Sequence, residues 1–319
     1  MIVASLQSLG YLPVATATLF PARGIECDLF LQHGAADVEL YRRGSYPLTE
    51  EDLQRLNTSG IDHLYIRAAD ADAYRSYLCS EVLNQTSVPA PIRIAALREV
   101  TRVAFQDVLE SNDPNKAVDW AQDMGRGLAT MIADQAVKLS EVYDLLEHDY
   151  YTFTHVCNVC TYCVILARDL GLGDKHVLAQ VATGALLHDI GKRHVPKDVL
   201  NKKDKPTEAE WEIIRSHPAI GYQELCHRAD LSWAQLMMVY QHHERLDGSG
   251  YPTGAAGGDI HVWARLCAVV DVFDALTCSR PYRDAVPAME VCRYLEGQSP
   301  RWFDQDMVAC WASQVRRLA

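Results

Sequence analysis

With 319 residues, 49% of them hydrophobic, the chain is long enough to bury two cores or one large one. Its formal net charge of −12 argues against a nucleic-acid polymer as partner, because that needs a basic footprint; a small anion held by metal ions and a few arginines stays open. The opening stretch MIVASLQSLGYLPVATATLF lacks a basic segment and is broken by Gly10 and Pro13, and no apolar run approaches the roughly 18–20 residues of a spanning helix, so neither a signal peptide nor a membrane span is expected. Ten scattered cysteines follow no small-scaffold pattern and are expected as reduced thiols of a cytoplasmic protein.

In chain order, Asp28–Gln32 and Val38–Arg42 are strand-like, with Gly34 in the turn between them. Thr49 with Asp52 forms a capping-box pattern that opens a helix carrying Leu53 and Leu56, and Gly60 ends it before a third strand-like run, His63–Arg67. Residues 1–85 are thus expected as a small α+β regulatory module. Beyond Pro89 and Pro91, apolar residues at three- and four-residue steps predict helices over 92–110 and 116–147, broken at Asn112-Asp113-Pro114-Asn115. Residues 86–140 read as a helical connector able to transmit a signal or to pair two copies as a homodimer; simple core packing is the alternative. From 141 to 319 helices and loops dominate, so the expected class is mainly α: an all-helical domain behind the α+β module.

Histidine is unevenly spread: His33 and His63 precede residue 148, and the other ten fall between His148 and His261. Within that half stand His155, His188, Asp189, His217, His242, His243 and Asp271. Imidazole with carboxylate suits iron, manganese, zinc or nickel. Small apolar residues, Gly184 to Leu187, lead into His188-Asp189, and Ala264 to Val270 lead into Asp271. An acid at the end of such a run is costly to bury unless it is paired or metal-bound. Cys157, Cys160 and Cys163 rotate round one helix and lack a fourth partner, so they are expected as small buried residues and not as a cluster site.

From His155 to Arg283 the chain resembles the HD-GYP family, a branch of the HD phosphohydrolases. The matching text is Tyr151-Thr152-Phe153-Thr154-His155, HDIGK from His188 to Lys192, His217-Pro218 with Gly221, HHERLDGSGYPTG from His242 to Gly254, and DVFDALTCSRPYR from Asp271 to Arg283. The resemblance implies an all-helical HD-type phosphohydrolase domain that hydrolyses cyclic di-GMP to linear pGpG, with GMP as a further product. It implies a first metal on His155, His188, Asp189 and Asp271, and a second on His217, His242 and His243, with Asp189 bridging. Tyr151 stands where some members carry a glutamate for a third metal, which favours two ions, iron first and manganese second. Two metals about 3.5–4 Å apart can activate a bridging hydroxide for in-line attack on phosphorus. Asp189 and Lys192 are the expected catalytic residues. Lys192, four residues after His188, is expected on the same helix face, at a phosphate oxygen or the leaving group.

Arg280 and Arg283 suit a second phosphate or a guanine edge. Asp247 and Tyr251 are placed on the substrate side, and the Gly248–Pro252 loop resembles the segment by which family members meet GGDEF-domain proteins. Arg193, Pro206 and Cys278 depart from the family pattern without removing a ligand. Two alternatives are open to the sequence: a cyclic-dinucleotide sensor or partner-docking module, and a phosphodiesterase for cyclic GMP-AMP.

Overall fold

The computed structural model describes residues 10–21, 24–33, 37–83, 85, 87–111, 113–134, 137–143, 146, 152–200, 202, 204–279 and 283–318. The chain divides into two compact units, Met1–Val103 and Ala104–Ala319.

The first unit holds β1 (Tyr11–Ala15), β2 (Leu29–Gln32), β3 (Val38–Arg42), α1 (Glu50–Thr58), β4 (His63–Arg67), α2 (Ala71–Tyr77) and the start of α3 (Ala90–Ser111). The sheet order is β1-β4-β2-β3 with antiparallel pairing, Val14 opposite Leu64 and Phe30 opposite Tyr65. Period-two alternation sorts the two faces. Val14, Leu29, Leu64 and Ile66 enter a core with Leu56, Leu78 and Val82, while Phe30 and Tyr65 pack on the other face with Tyr11 and Val38. Strand β1 is not legible in the sequence because Pro13 interrupts the pattern. It is tolerated there because β1 is an edge strand, where a missing N–H need not cost a ladder bond. The capping box is present: Asp52 N donates to Thr49 Oγ1 at 3.2 Å and Thr49 N donates back to Asp52 Oδ2 at 3.0 Å. The turn expected at Gly34 lies outside the described residues.

The second unit is helical: α4 (Pro114–Asp134), α5 (Thr152–Asp169), α6 (Lys175–Leu187), α7 (Glu208–Arg215), α8 (His217–Leu225), α9 (Trp233–Gln241), α10 (Val262–Thr277), α11 (Ala288–Gln298) and α12 (Gln305–Val315). Helix α6 is packed by α4, α5 and α9, and α10 lies against α5, α9 and α11. Of the helix expected over 116–147, the described residues show Pro114–Asp134 and one further turn at Leu139–Val142; residues 135 and 136 lie outside the described residues. Arg168 of α5 donates to the carbonyls of Ile132 (3.3 Å) and Val137 (2.5 Å). Tyr162, Phe273 and Trp311 meet in the core, Trp311 lying 5.1 and 5.0 Å from the other two ring centroids. Cys157, Cys160 and Cys163 are buried along α5. Among the described residues no helix is long and apolar enough to cross a membrane.

Candidate metal centre

Five helices of the second unit bring the seven candidate ligands together. Asp189, His217, His242 and His243 form one group of donor atoms within 4.8 Å of one another, and His155, His188 and Asp271 form another. Helix ends do much of the positioning. His188 follows the last residue of α6 and its Nδ1–H donates to the Ala185 carbonyl at 2.6 Å. His217 opens α8, where its Nδ1–H donates to Ile214 in the last turn of α7 at 2.7 Å. His242 follows α9, donating from Nδ1 to Val239 at 2.9 Å. A carbonyl accepts only, so these three bonds put the Nδ1 proton on the carbonyl side and turn each Nε2 towards the centre. His155 on α5 is oriented by a carboxylate instead, its Nδ1 lying 2.7 Å from Asp274 Oδ2.

Asp189 lies between the groups. Its Oδ2 is 3.3 Å from His188 Nε2 and 3.7 Å from His155 Nε2, while its Oδ1 is 3.1 Å from His217 Nε2 and 3.8 Å from His242 Nε2. Asp271 Oδ1 is 3.1 Å from His155 Nε2, and Asp271 Oδ2 is 3.8 Å from His243 Nδ1.

The donor set fits divalent cations. His217 Nε2 and His242 Nε2 approach to 3.2 Å although both Nδ1 atoms already carry the donated proton. Two lone pairs so placed repel unless a cation lies between them. His188 Nε2 and Asp189 Oδ1 are buried with no hydrogen bond, a costly state that ligation relieves.

The electrostatics agree. Burial opposes the charge on Asp189, yet Lys192, His188 and His217 outweigh it and hold the carboxyl well below its usual range. Asp271 is likewise held low against burial by His155 and its neighbours. Burial and adjacent imidazoles keep His242 and His243 neutral. His188 behaves oppositely: burial disfavours its charge, but Asp189 and Asp271 prevail and push it up to about 9.

Lys192 reaches the centre by a different route from the one its spacing suggests. Helix α6 ends at Leu187, Ile190–His194 form a 3₁₀ turn, and Lys192 Nζ meets Asp189 Oδ2 at 2.5 Å across three residues. The turn is forced tight by its crossing with α8, where a Cβ at Gly191 would lie 2.0 Å from the His217 carbonyl oxygen. Arg193, unusual in the motif, pairs there with Glu224 of α8 at 2.7 Å.

The other expected residues divide. Tyr251 stacks on His243, centroids 4.7 Å apart at 32°, and burial pushes its hydroxyl pKa up, so it stays a proton donor. Asp247 is exposed and shapes its loop: Ser249 donates to Oδ1 from N (3.0 Å) and Oγ (2.5 Å), and Arg301 Nε to Oδ2 at 2.9 Å. Arg283 donates to the Ala275 and Leu276 carbonyls at 2.5 and 3.2 Å, near the end of α10. Tyr151 and Arg280 lie outside the described residues. Asp274 is the side chain that sequence reasoning missed. Fully buried, it holds His155, accepts from Asn158 Nδ2 at 2.9 Å, and has the Cys278 thiol 3.5 Å from Oδ2. Its signal was the i,i+3 spacing from Asp271, which puts both acids on one face of α10.

Comparison with known proteins matches residues 129–307 to the HD domain family. The chain is 33% identical over 84% of its length to the cyclic di-GMP phosphodiesterase PA4108 of Pseudomonas aeruginosa, covering 67% of that protein. It is 42% identical over 44% of its length to the cyclic di-GMP phosphodiesterase response regulator RpfG of Xanthomonas campestris, and 36% identical over 53% to the 3'3'-cGAMP-specific phosphodiesterase 3 of Vibrio cholerae; it spans only 37% and 35% of those two proteins. In fold it is similar to Bd1817, an HDG"Y"P protein from Bdellovibrio bacteriovorus, with a TM-score of 0.69, 22% identity, and coverage of 96% of this chain and 99% of that one.

Proposed function

The chain belongs to the HD-GYP branch of the HD-domain phosphohydrolases, and from that premise we propose that it is a metal-dependent phosphodiesterase that opens cyclic di-GMP to linear pGpG, with GMP as a further product. One observation carries the reading: the two oxygens of Asp189 face two separate sets of imidazoles. His155, His188 and Asp271 would hold one divalent ion, His217, His242 and His243 the other, with Asp189 shared. Bound there, such ions supply Lewis acidity that activates water at neutral pH and offsets charge growing on the phosphoryl oxygens. Iron is the first expectation and manganese the second, since imidazole and carboxylate donors accept both.

The chain's own residues do the rest. Lys192, at the edge of the cluster, brings an ammonium to a phosphate oxygen or the leaving group. Tyr251, protonated and stacked on His243, offers a hydroxyl donor and an aromatic edge to the bound dinucleotide. Asp247 acts on the substrate side by fixing the loop, and Arg280 and Arg283 are assigned to the second phosphate or a guanine edge. The proposal also takes residues 1–85 as a regulatory module, 86–140 as a connector through which two copies pair, and 141–319 as the hydrolase. It takes the Gly248–Pro252 loop as the meeting point for GGDEF-domain proteins and the cytoplasm as the compartment.

A second substrate is favoured by one finding, the 36% identity to a protein named for 3'3'-cGAMP. Protein purified without oxygen, its metal quantified, is incubated separately with cyclic di-GMP and 3'3'-cGAMP and the products separated by chromatography. Two ions per chain and pGpG are the expected result. A two-ion protein that cuts only 3'3'-cGAMP moves the assignment to that substrate, and one that cuts neither is a sensor or docking module.

A further inference from the structure

Glu244 follows the His242–His243 pair directly, yet its carboxylate belongs to neither group of metal-ligating atoms. It is 2% exposed. Its Oε1 accepts two hydrogen bonds from one residue, Thr253, from N at 2.8 Å and from Oγ1 at 2.7 Å. That pair closes the loop containing Gly248–Pro252 at both ends. Inside the closure Tyr251 N donates to the His243 carbonyl at 3.3 Å. Gly250 has no room for a side chain, because a Cβ there would lie 2.4 Å from Glu244 Cα. The outcome is the stacking of Tyr251 on His243.

The second oxygen, Oε2, is buried with no hydrogen bond. Glu244 lines a cavity of about 10 Å³ together with Leu246, Ile260, Arg265, Trp302 and Asp304. Trp302 Nε1 is also buried without a hydrogen bond. Both residues line this one space, whose volume suits about one water. The same loop is joined to the segment between α11 and α12 by two further bonds, Leu246 N to the Trp302 carbonyl at 3.2 Å and Arg301 Nε to Asp247 Oδ2 at 2.9 Å. A buried carboxylate is expensive, and the bonds it makes here hold a loop rather than a metal.

We propose that Glu244 is the positioning residue of the 248–253 loop: one oxygen clamps Thr253, the other shares a single buried water with Trp302, and this brace keeps Tyr251 over His243 so that the dinucleotide is gripped. The substrate part of this proposal rests on the phosphodiesterase reading; the brace itself does not.

The test uses the metal-loaded full chain as wild type, Glu244→Ala, Thr253→Val, Thr253→Ser and Trp302→Phe. It reads amide hydrogen exchange across residues 249–253, metal content, and KM and kcat for cyclic di-GMP. Glu244→Ala and Thr253→Val should speed exchange in the loop and raise KM roughly tenfold, the scale of one lost charge-assisted hydrogen bond, with kcat and metal content unchanged. Thr253→Ser should restore both readouts, and Trp302→Phe should speed exchange to a smaller degree. Thr253 is exposed, so its variants fold even if Glu244→Ala does not. Unchanged exchange and KM in Thr253→Val overturns the proposal, as does loss of metal or of kcat at constant KM in Glu244→Ala. Should the wild type cut no cyclic dinucleotide, the phosphodiesterase reading fails while the exchange data still decide the brace.

Discussion

Asp274 separates the chemistry of ligation from the chemistry of orientation. It touches His155 Nδ1, so its loss leaves all seven candidate ligands in place but lets one ring turn. Asp274→Ala should weaken metal affinity by about 10–100-fold, measured by chelator competition, whereas Asp189→Ala should remove both ions and turnover together. His188 gives a prediction in pH. A raised folded-state pKa contributes stability that is complete below the ordinary imidazole value of 6.5 and is lost as pH rises through about 9, so the metal-free protein should lose thermal stability across that window. Metal takes only the neutral ring, so loading at pH 7.5 should displace the His188 proton, seen as a buffer-dependent heat that shrinks as pH rises through about 9. At this scale the histidines and the two clustered acids were legible because their types announce chemistry. Asp274 showed only through its three-residue spacing from Asp271, since a carboxylate serving a neighbouring ring has the same letter as one facing water.

Elements were legible where local signals agreed with tertiary demands, as in the capping box at Thr49 and the helices that carry the ligands. They were illegible where a distant contact decided. Strand β1 tolerates Pro13 because it is an edge, and the turn after His188 tightens because α8 crosses it. The last case is testable. Gly191→Ala forces a methyl to 2.0 Å from a backbone oxygen that cannot retreat without moving His217. Overpacking of this kind costs about 1–3 kcal/mol or more, and at roughly 2–4 °C per kcal/mol the melting temperature should fall by about 5 °C. Metal content should fall with it, because the same shift displaces a ligand. A variant with unaltered melting temperature and metal content would show that the crossing relaxes freely.

For the molecule as a whole, all the described site residues lie in the unit Ala104–Ala319, and the HD family match falls inside it. Metal binding to the folded state alone stabilises by about 4 kcal/mol at a thousandfold excess over Kd. That gain should appear as slower amide exchange in α5, α6, α8, α9 and α10, with no change in the strands of the first unit. The bonds from His188, His217 and His242 to last-turn carbonyls place the C-terminal ends of α6, α7 and α9 against one spot. Each such end carries roughly half a negative charge from its aligned peptide dipoles, and Asp189 and Asp271 add to them. Such a scaffold favours cations and opposes an anion at the same spot. On the proposed phosphodiesterase reading metal precedes nucleotide, and chelator-stripped protein should show no measurable affinity for cyclic di-GMP in equilibrium dialysis.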